Sequence, residues 1–105
     1  NVTRFSVIGK ESGERTGDDK SALMFELEHR PGALADAITI FKRHKVNLTW
    51  IESFPIPGSN NEFLFFIELL GHQNDTKVKR AISSLSQKTV RLEILGSYAK
   101  TEPIE

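Results

Sequence analysis

Pro31-Gly32 separates two runs of different periodicity, and that junction constrains the fold more than any other feature of the chain. Before it, residues 22–28 alternate, with Leu23, Phe25 and Leu27 on one side, as in a half-buried strand. After it, Leu34, Ala37, Ile38 and Phe41 recur at i, i+3, i+4 and i+7 within residues 33–44, one apolar stripe of an amphipathic helix. Proline and glycine break the first pattern where the second begins, so a strand must turn here directly into a helix.

The rest of the chain repeats this layout. Residues 48–54 read as a second strand. Residues 55–61 hold Pro55, Pro57 and Gly58, a turn-rich connector suited to joining antiparallel strands. A third strand is expected over residues 63–70, apolar on both faces as far as Glu68. Asn74 or Asp75 is placed to cap a second helix, where Val78, Ala81, Ile82 and Leu85 repeat the helical spacing. Residues 90–95 form the fourth strand, with Val90, Leu92 and Ile94 inward. The order β-α-β-β-α-β predicts an α+β, ferredoxin-like sandwich: a four-stranded antiparallel sheet with two helices on one face. Upstream, residues 3–8 read as a short strand with no partner in this chain. Residues 9–20, rich in Gly, Ser, Glu, Asp and Lys, read as a solvated linker, and the compact domain starts near Ser21.

Composition narrows the function classes. The 105 residues suit one domain with a modest core. Fourteen basic and 14 acidic residues cancel, so the basic footprint of a nucleic-acid or anionic-membrane binder is missing. Having no cysteine, the chain has no disulfide, thiolate nucleophile or cysteine metal site, which fits a cytoplasmic protein. No apolar run approaches the roughly 20 residues that span a bilayer, and no leader pattern opens the chain. His29, His44 and His72 lack metal-ligand spacing and suit solvent or capping roles. Asn1, Asn47 and Asn74 begin chance glycosylation sequons. Starting at Asn1 without a methionine, the sequence is expected to be a piece of a longer protein.

Two helices cover one side of such a sheet. The other would carry Met24, Glu26, Trp50, Glu52, Phe54, Leu64, Phe66, Glu68, Arg91 and Glu93. This is either a half-polar surface in solvent or a face covered by another subunit or domain. The large apolar side chains favour cover, because big apolar patches mark interfaces.

Chemistry-bearing residues gather in two segments, Arg30-Pro31-Gly32-Ala33-Leu34 and Asn47-Leu48-Thr49-Trp50-Ile51-Glu52-Ser53-Phe54-Pro55. A helix start exposes backbone N–H groups that suit a carboxylate. Gly32, lacking a Cβ, lets that carboxylate come close. An Asn and a Glu nearby would hold an ammonium group. The pattern predicts a pocket for a free amino acid rather than a reaction centre. Taken singly, Gly32 could be a plain cap glycine, Asn47 a turn asparagine and Glu52 a solvated strand residue.

Together the two segments resemble the paired motifs of the ACT domain of prephenate dehydratases, a Gly-Ala-Leu turn and a Glu-Ser-Arg-Pro strand end that form a phenylalanine site. The resemblance extends through Thr3-Arg4-Phe5, similar to the close of the dehydratase catalytic domain. It continues in Phe65-Phe66-Ile67-Glu68-Leu69-Leu70-Gly71-His72, similar to the third ACT strand and its exit, and in Leu95-Gly96-Ser97-Tyr98, similar to the last strand. Phe54 departs from it, standing where the family has arginine, and Ala99 replaces a common proline.

The resemblance implies a division into residues 1–20, the end of a catalytic domain plus linker; 21–99, the ACT regulatory domain; and 100–105, a tail. It implies L-phenylalanine as ligand, held by Gly32, Ala33 and Leu34 of one subunit and Asn47, Leu48, Glu52 and Ser53 of another. It further implies feedback inhibition of a lyase, alone or fused to chorismate mutase, with no cofactor and no metal. Partners would be a second copy through the ACT domains, within a dimer or tetramer, and the enzyme's own catalytic domain. Thr3 and Arg4 would be catalytic residues, the hydroxyl assisting departure of the substrate's hydroxyl and the guanidinium gripping a carboxylate. Without the rest of that domain they are expected to be inactive. Two alternatives remain: a dimerisation module with no ligand, favoured by Phe54, and the regulatory domain of an aromatic amino acid hydroxylase, which shares both motifs.

Overall fold

The computed structural model describes residues 16–59 and 62–99. The expected strand at residues 3–8, and with it Thr3 and Arg4, lies outside the described residues. Six elements follow in order: β1 (Asp19–Leu27), α1 (Ala33–Arg43), β2 (Leu48–Pro55), β3 (Phe63–Leu70), α2 (Thr76–Ser86) and β4 (Arg91–Ala99). The strands form one antiparallel sheet in the order β2-β3-β1-β4. This is the α+β, ferredoxin-like sandwich that the alternating periods predict. No helix among the described residues is long and apolar enough to cross a membrane.

The core lies between the two helices and the central strands. Leu23, Phe25 and Leu27 of β1 and Phe65, Ile67 and Leu69 of β3 meet Ala37, Ile40 and Phe41 of α1 and Val78, Ala81 and Leu85 of α2. Phe25 and Phe65 face each other across paired strands as a stack, with centroids 5.6 Å apart. Such contacts on the two inner strands fix register, because a one-residue slip would turn each of these side chains to the other face.

Local chemistry sets the ends of α1. Gly32 at its N-cap has φ 81°, a left-handed conformation that glycine adopts without strain. At the other end, Val46 N–H donates to Phe41 O at 2.9 Å and Lys45 N–H to Lys42 O at 3.1 Å. These are the paired bonds of a Schellman stop, and buried Val46 and Phe41 share the core as that motif favours. Lys45 holds the left-handed position with φ 59°.

The structure differs from the sequence reading in several places. Strand β1 starts at Asp19, inside the expected linker, and β4 runs on to Ala99. The buried stripe of α1 is Ala33, Ala37, Ile40 and Phe41, so Leu34 turns outward and is 37% exposed. Ala33 and Ala37 take the buried positions of the helix, which leaves Leu34 on its outer side. Of the residues expected to face inward on the fourth strand, Leu92 packs against the core, but Val90, just before β4, is 52% exposed and Ile94 38%. β4 is an edge strand, and the pairing with β1 shifts register between Ala22/Gly96 and Leu23/Ile94. The extra residue bends it outward. Asp75 is the N-cap of α2, but it makes no side-chain cap bond; its Oδ2 instead accepts from His72 N–H at 2.9 Å.

On the helix-free face Glu68 is 0% exposed, buried within the single chain. Tyr98 Oη donates to its Oε2. Thr49 Oγ1 donates to Oε1 at 3.5 Å, and Lys20 Nζ lies 3.7 Å from the same oxygen. One carboxylate therefore ties a residue from each of the other three strands.

Candidate functional site

The strand-to-helix junction after β1 opens onto a hollow of about 110 Å³. Leu27, Ala33, Leu34, Phe63 and Phe65 form its apolar wall, and Glu28, His29 and Arg30 its polar rim. Leu34 reaches this wall because it lies on the outer side of α1. Phe63 arrives because β3 begins opposite the end of β1, with Leu27 paired to Phe63.

The helix start at the hollow is open. Among the described residues no side chain caps the amino end of α1. Ala33 N–H donates to Arg30 O at 3.2 Å and Asp36 N–H to Gly32 O at 2.9 Å, which leaves the N–H groups of Leu34 and Ala35 pointing out of the helix end. Added at Gly32, a Cβ would meet nothing within 4 Å, so the approach to these groups is clear. Arg30 pairs with Asp36 in the first turn at 3.3 Å.

A hollow with an apolar wall, a cation and a carboxylate on its rim and an uncapped helix end matches a free amino acid part by part. In size it is incomplete. An apolar cavity that takes a benzene ring measures about 150 Å³, and ligand pockets run from about 300 Å³ upward.

The other predicted residues lie elsewhere. Helix α1 runs away from the hollow for 11 residues, about 16 Å at 1.5 Å per residue, before the chain reaches Asn47. There Asn47 O accepts from Leu70 N–H at 2.8 Å, and Leu48, paired with Leu69, packs against the core. Strand β2 then returns toward the hollow, and Ser53 pairs with Phe65 of its wall. Glu52 stands on the opposite face of the sheet, paired with Phe66 and accepting from Trp50 Nε1–H at 3.1 Å. Phe54 shares that face, its ring edge-on to Phe66 at 5.4 Å. Gly32, Ala33 and Leu34 thus gather at one opening with Ser53 one strand away. Within one chain Asn47, Leu48 and Glu52 do not join them.

Glu28 and Phe63 were not singled out from the sequence, and Arg30 was named at the head of its segment but given no role. Arg30 stands directly before Pro31-Gly32, and a cation beside an anion-binding turn was the available signal. The partnering of Phe63 with Leu27 depends on strand register, which no local pattern carries.

At the far end of the sheet a polar cluster ties down the start of β1. Burial raises the pKa of Asp19, but hydrogen bonds from the Thr16 hydroxyl, Thr16 N–H and Gly17 N–H, together with nearby His72, outweigh it and hold the carboxyl below its ordinary value of 3.8. His72 is itself buried, its Nδ1 accepting from Asn74 N–H at 3.1 Å. These groups fasten strands and do not face the hollow.

An ACT domain model matches residues 21–87, nearly the whole of the region containing β1 to α2. The chain belongs to the ACT-domain family. Within it, the chain is 42% identical over 100 residues to the bifunctional chorismate mutase/prephenate dehydratase of Aquifex aeolicus, covering 95% of this chain and 28% of that enzyme. A solved prephenate dehydratase from Arthrobacter aurescens in complex with L-Phe superposes with a TM-score of 0.79 at 33% identity, over 90% of this chain and 32% of that one. GqqA, described as a quorum-quenching acylase, gives a TM-score of 0.80 at 29% identity, over 86% of this chain and 46% of that one. The chain therefore corresponds to the ACT region of prephenate dehydratases and spans about 30% of their length.

Proposed function

We propose that the chain is a regulatory module that binds free L-phenylalanine between two copies of itself and transmits feedback inhibition to a prephenate dehydratase. The observation that carries this reading is the open start of α1 beside an apolar hollow that one chain leaves unfinished. In this reading the ligand's carboxylate meets the N–H groups after Gly32, and its ring lies against Leu34 and Phe63. Segment 47–53 of a second copy closes the site, with Asn47 on the polar head. The relative solved with L-Phe supports the choice of ligand.

The inhibitory step follows from binding across an interface. A ligand that contacts two subunits favours the arrangement in which both contacts form, and shifts the population toward it by its differential affinity. The activity regulated would be that of the longer protein, a cytoplasmic lyase converting prephenate to phenylpyruvate, water and carbon dioxide. Thr3 and Arg4 would belong to its catalytic domain, residues 21–99 to the regulatory domain, and residues 100–105 to a tail.

The test is calorimetric titration of the chain and of Gly32→Val with L-phenylalanine. The reading expects saturable binding near one ligand per chain, and at least a tenfold loss of affinity in a variant whose branched side chain obstructs the helix start. Circular dichroism checks that the variant is folded. Undiminished binding by a folded Gly32→Val would contradict the carboxylate site.

A further inference from the structure

We propose that Arg30 is the specificity-determining cation of the hollow: its guanidinium joins the N–H groups after Gly32 on the ligand's carboxylate and selects free amino acids over their amides. This rests on the amino-acid-binding reading above and gives a role to the first residue of the Arg30-to-Leu34 segment, which that reading left without one.

The argument begins with the bond Arg30 makes in the unliganded chain. Its Nη1 and Nη2 both reach Asp36 Oδ2 at 3.3 Å, so the two donors share one oxygen. The Arg30 side chain is 46% exposed, and its partner more so. A long, exposed pair of this kind contributes little to stability. A ligand carboxylate offers two oxygens to the same fork and forms shorter, parallel bonds. Asp36 loses little in the exchange, because it sits in the first turn of α1, where the helix dipole favours negative charge. Arg30 is thus held loosely on the rim of the hollow by an anion that does not depend on it.

The surroundings fit an α-amino acid bound this way round. The apolar wall of Leu27, Leu34 and Phe63 takes the side chain, and Glu28, on the same rim, supplies a carboxylate for the ammonium group.

The test titrates the chain, Arg30→Ala and Arg30→Lys with L-phenylalanine and with L-phenylalaninamide, which keeps the ring and ammonium but has no carboxylate. Losing a charge-assisted bidentate contact predicts about a tenfold or greater weakening of L-phenylalanine binding in Arg30→Ala. Amide binding stays as in the unaltered chain, and Arg30→Lys recovers only part of the loss because a point charge replaces the fork. Melting temperatures should match, since the pair removed is exposed. If Arg30→Ala binds L-phenylalanine as the unaltered chain does, or loses both ligands in equal proportion, Arg30 is not the carboxylate group. If the unaltered chain binds neither ligand, the amino-acid-binding reading fails and this inference with it.

Discussion

Lys45 shows how a single residue can serve the fold at a local cost. With φ 59° it occupies the position that closes the Schellman stop of α1, where side chains with a Cβ are crowded. Glycine takes that conformation freely, although it gives up more chain entropy on folding. We expect Lys45→Gly to stabilise the chain by about 0.5–1 kcal/mol, seen as a rise of several degrees in thermal unfolding. A fall in melting temperature would mean that the lysine contributes more than its strain costs. Gly32 is the opposite case, a left-handed position already filled by glycine at the mouth of the hollow. Its role was legible in the sequence because it is local: a Pro-Gly pair between a strand period and a helix period leaves few other uses. Arg30 was less legible, because its place on the rim depends on how the turn folds back over Leu27 and Phe63.

Elements were readable where their periodicity was strong. The two helices and four strands occur in the order the alternating patterns imply, since burial on one face imposes a period of two or of 3.6. What escaped the pattern depends on neighbouring elements. The turn of α1 that exposes Leu34 goes with burial of Ala33 and Ala37, which weigh little as hydrophobic residues in a periodicity count. The outward lean of Ile94 comes from a register shift against β1. The burial of Glu68 needs Tyr98, 30 residues further along, to lie over it. That contact gives a prediction for the sheet. Tyr98→Phe removes a hydroxyl donor from a fully buried carboxylate while keeping the ring, and should cost about 1–3 kcal/mol in urea unfolding. An unchanged midpoint would show that Thr49 and Lys20 satisfy Glu68 without the tyrosine.

On the scale of the whole molecule, the two motifs that suggest one pocket are only partly brought together within one chain. Asn47 follows the far end of α1, a helix about 16 Å long, and β2 sends Glu52 to the opposite face of the sheet. The sequence made both motifs visible, but only the resemblance, and no local pattern, assigned them to two different copies. A pocket drawing on both therefore needs two chains. The hollow of one chain measures about 110 Å³, below the roughly 300 Å³ from which ligand pockets run. The most direct test is amide NMR of the isotopically labelled chain titrated with L-phenylalanine. We predict saturable shifts in two separate groups, one at residues 30–34 with Phe63, the other at 47–53, accompanied by the slower tumbling of a dimer. Shifts confined to the hollow in a chain that stays monomeric, or no shifts at all, would contradict a phenylalanine site shared between two copies.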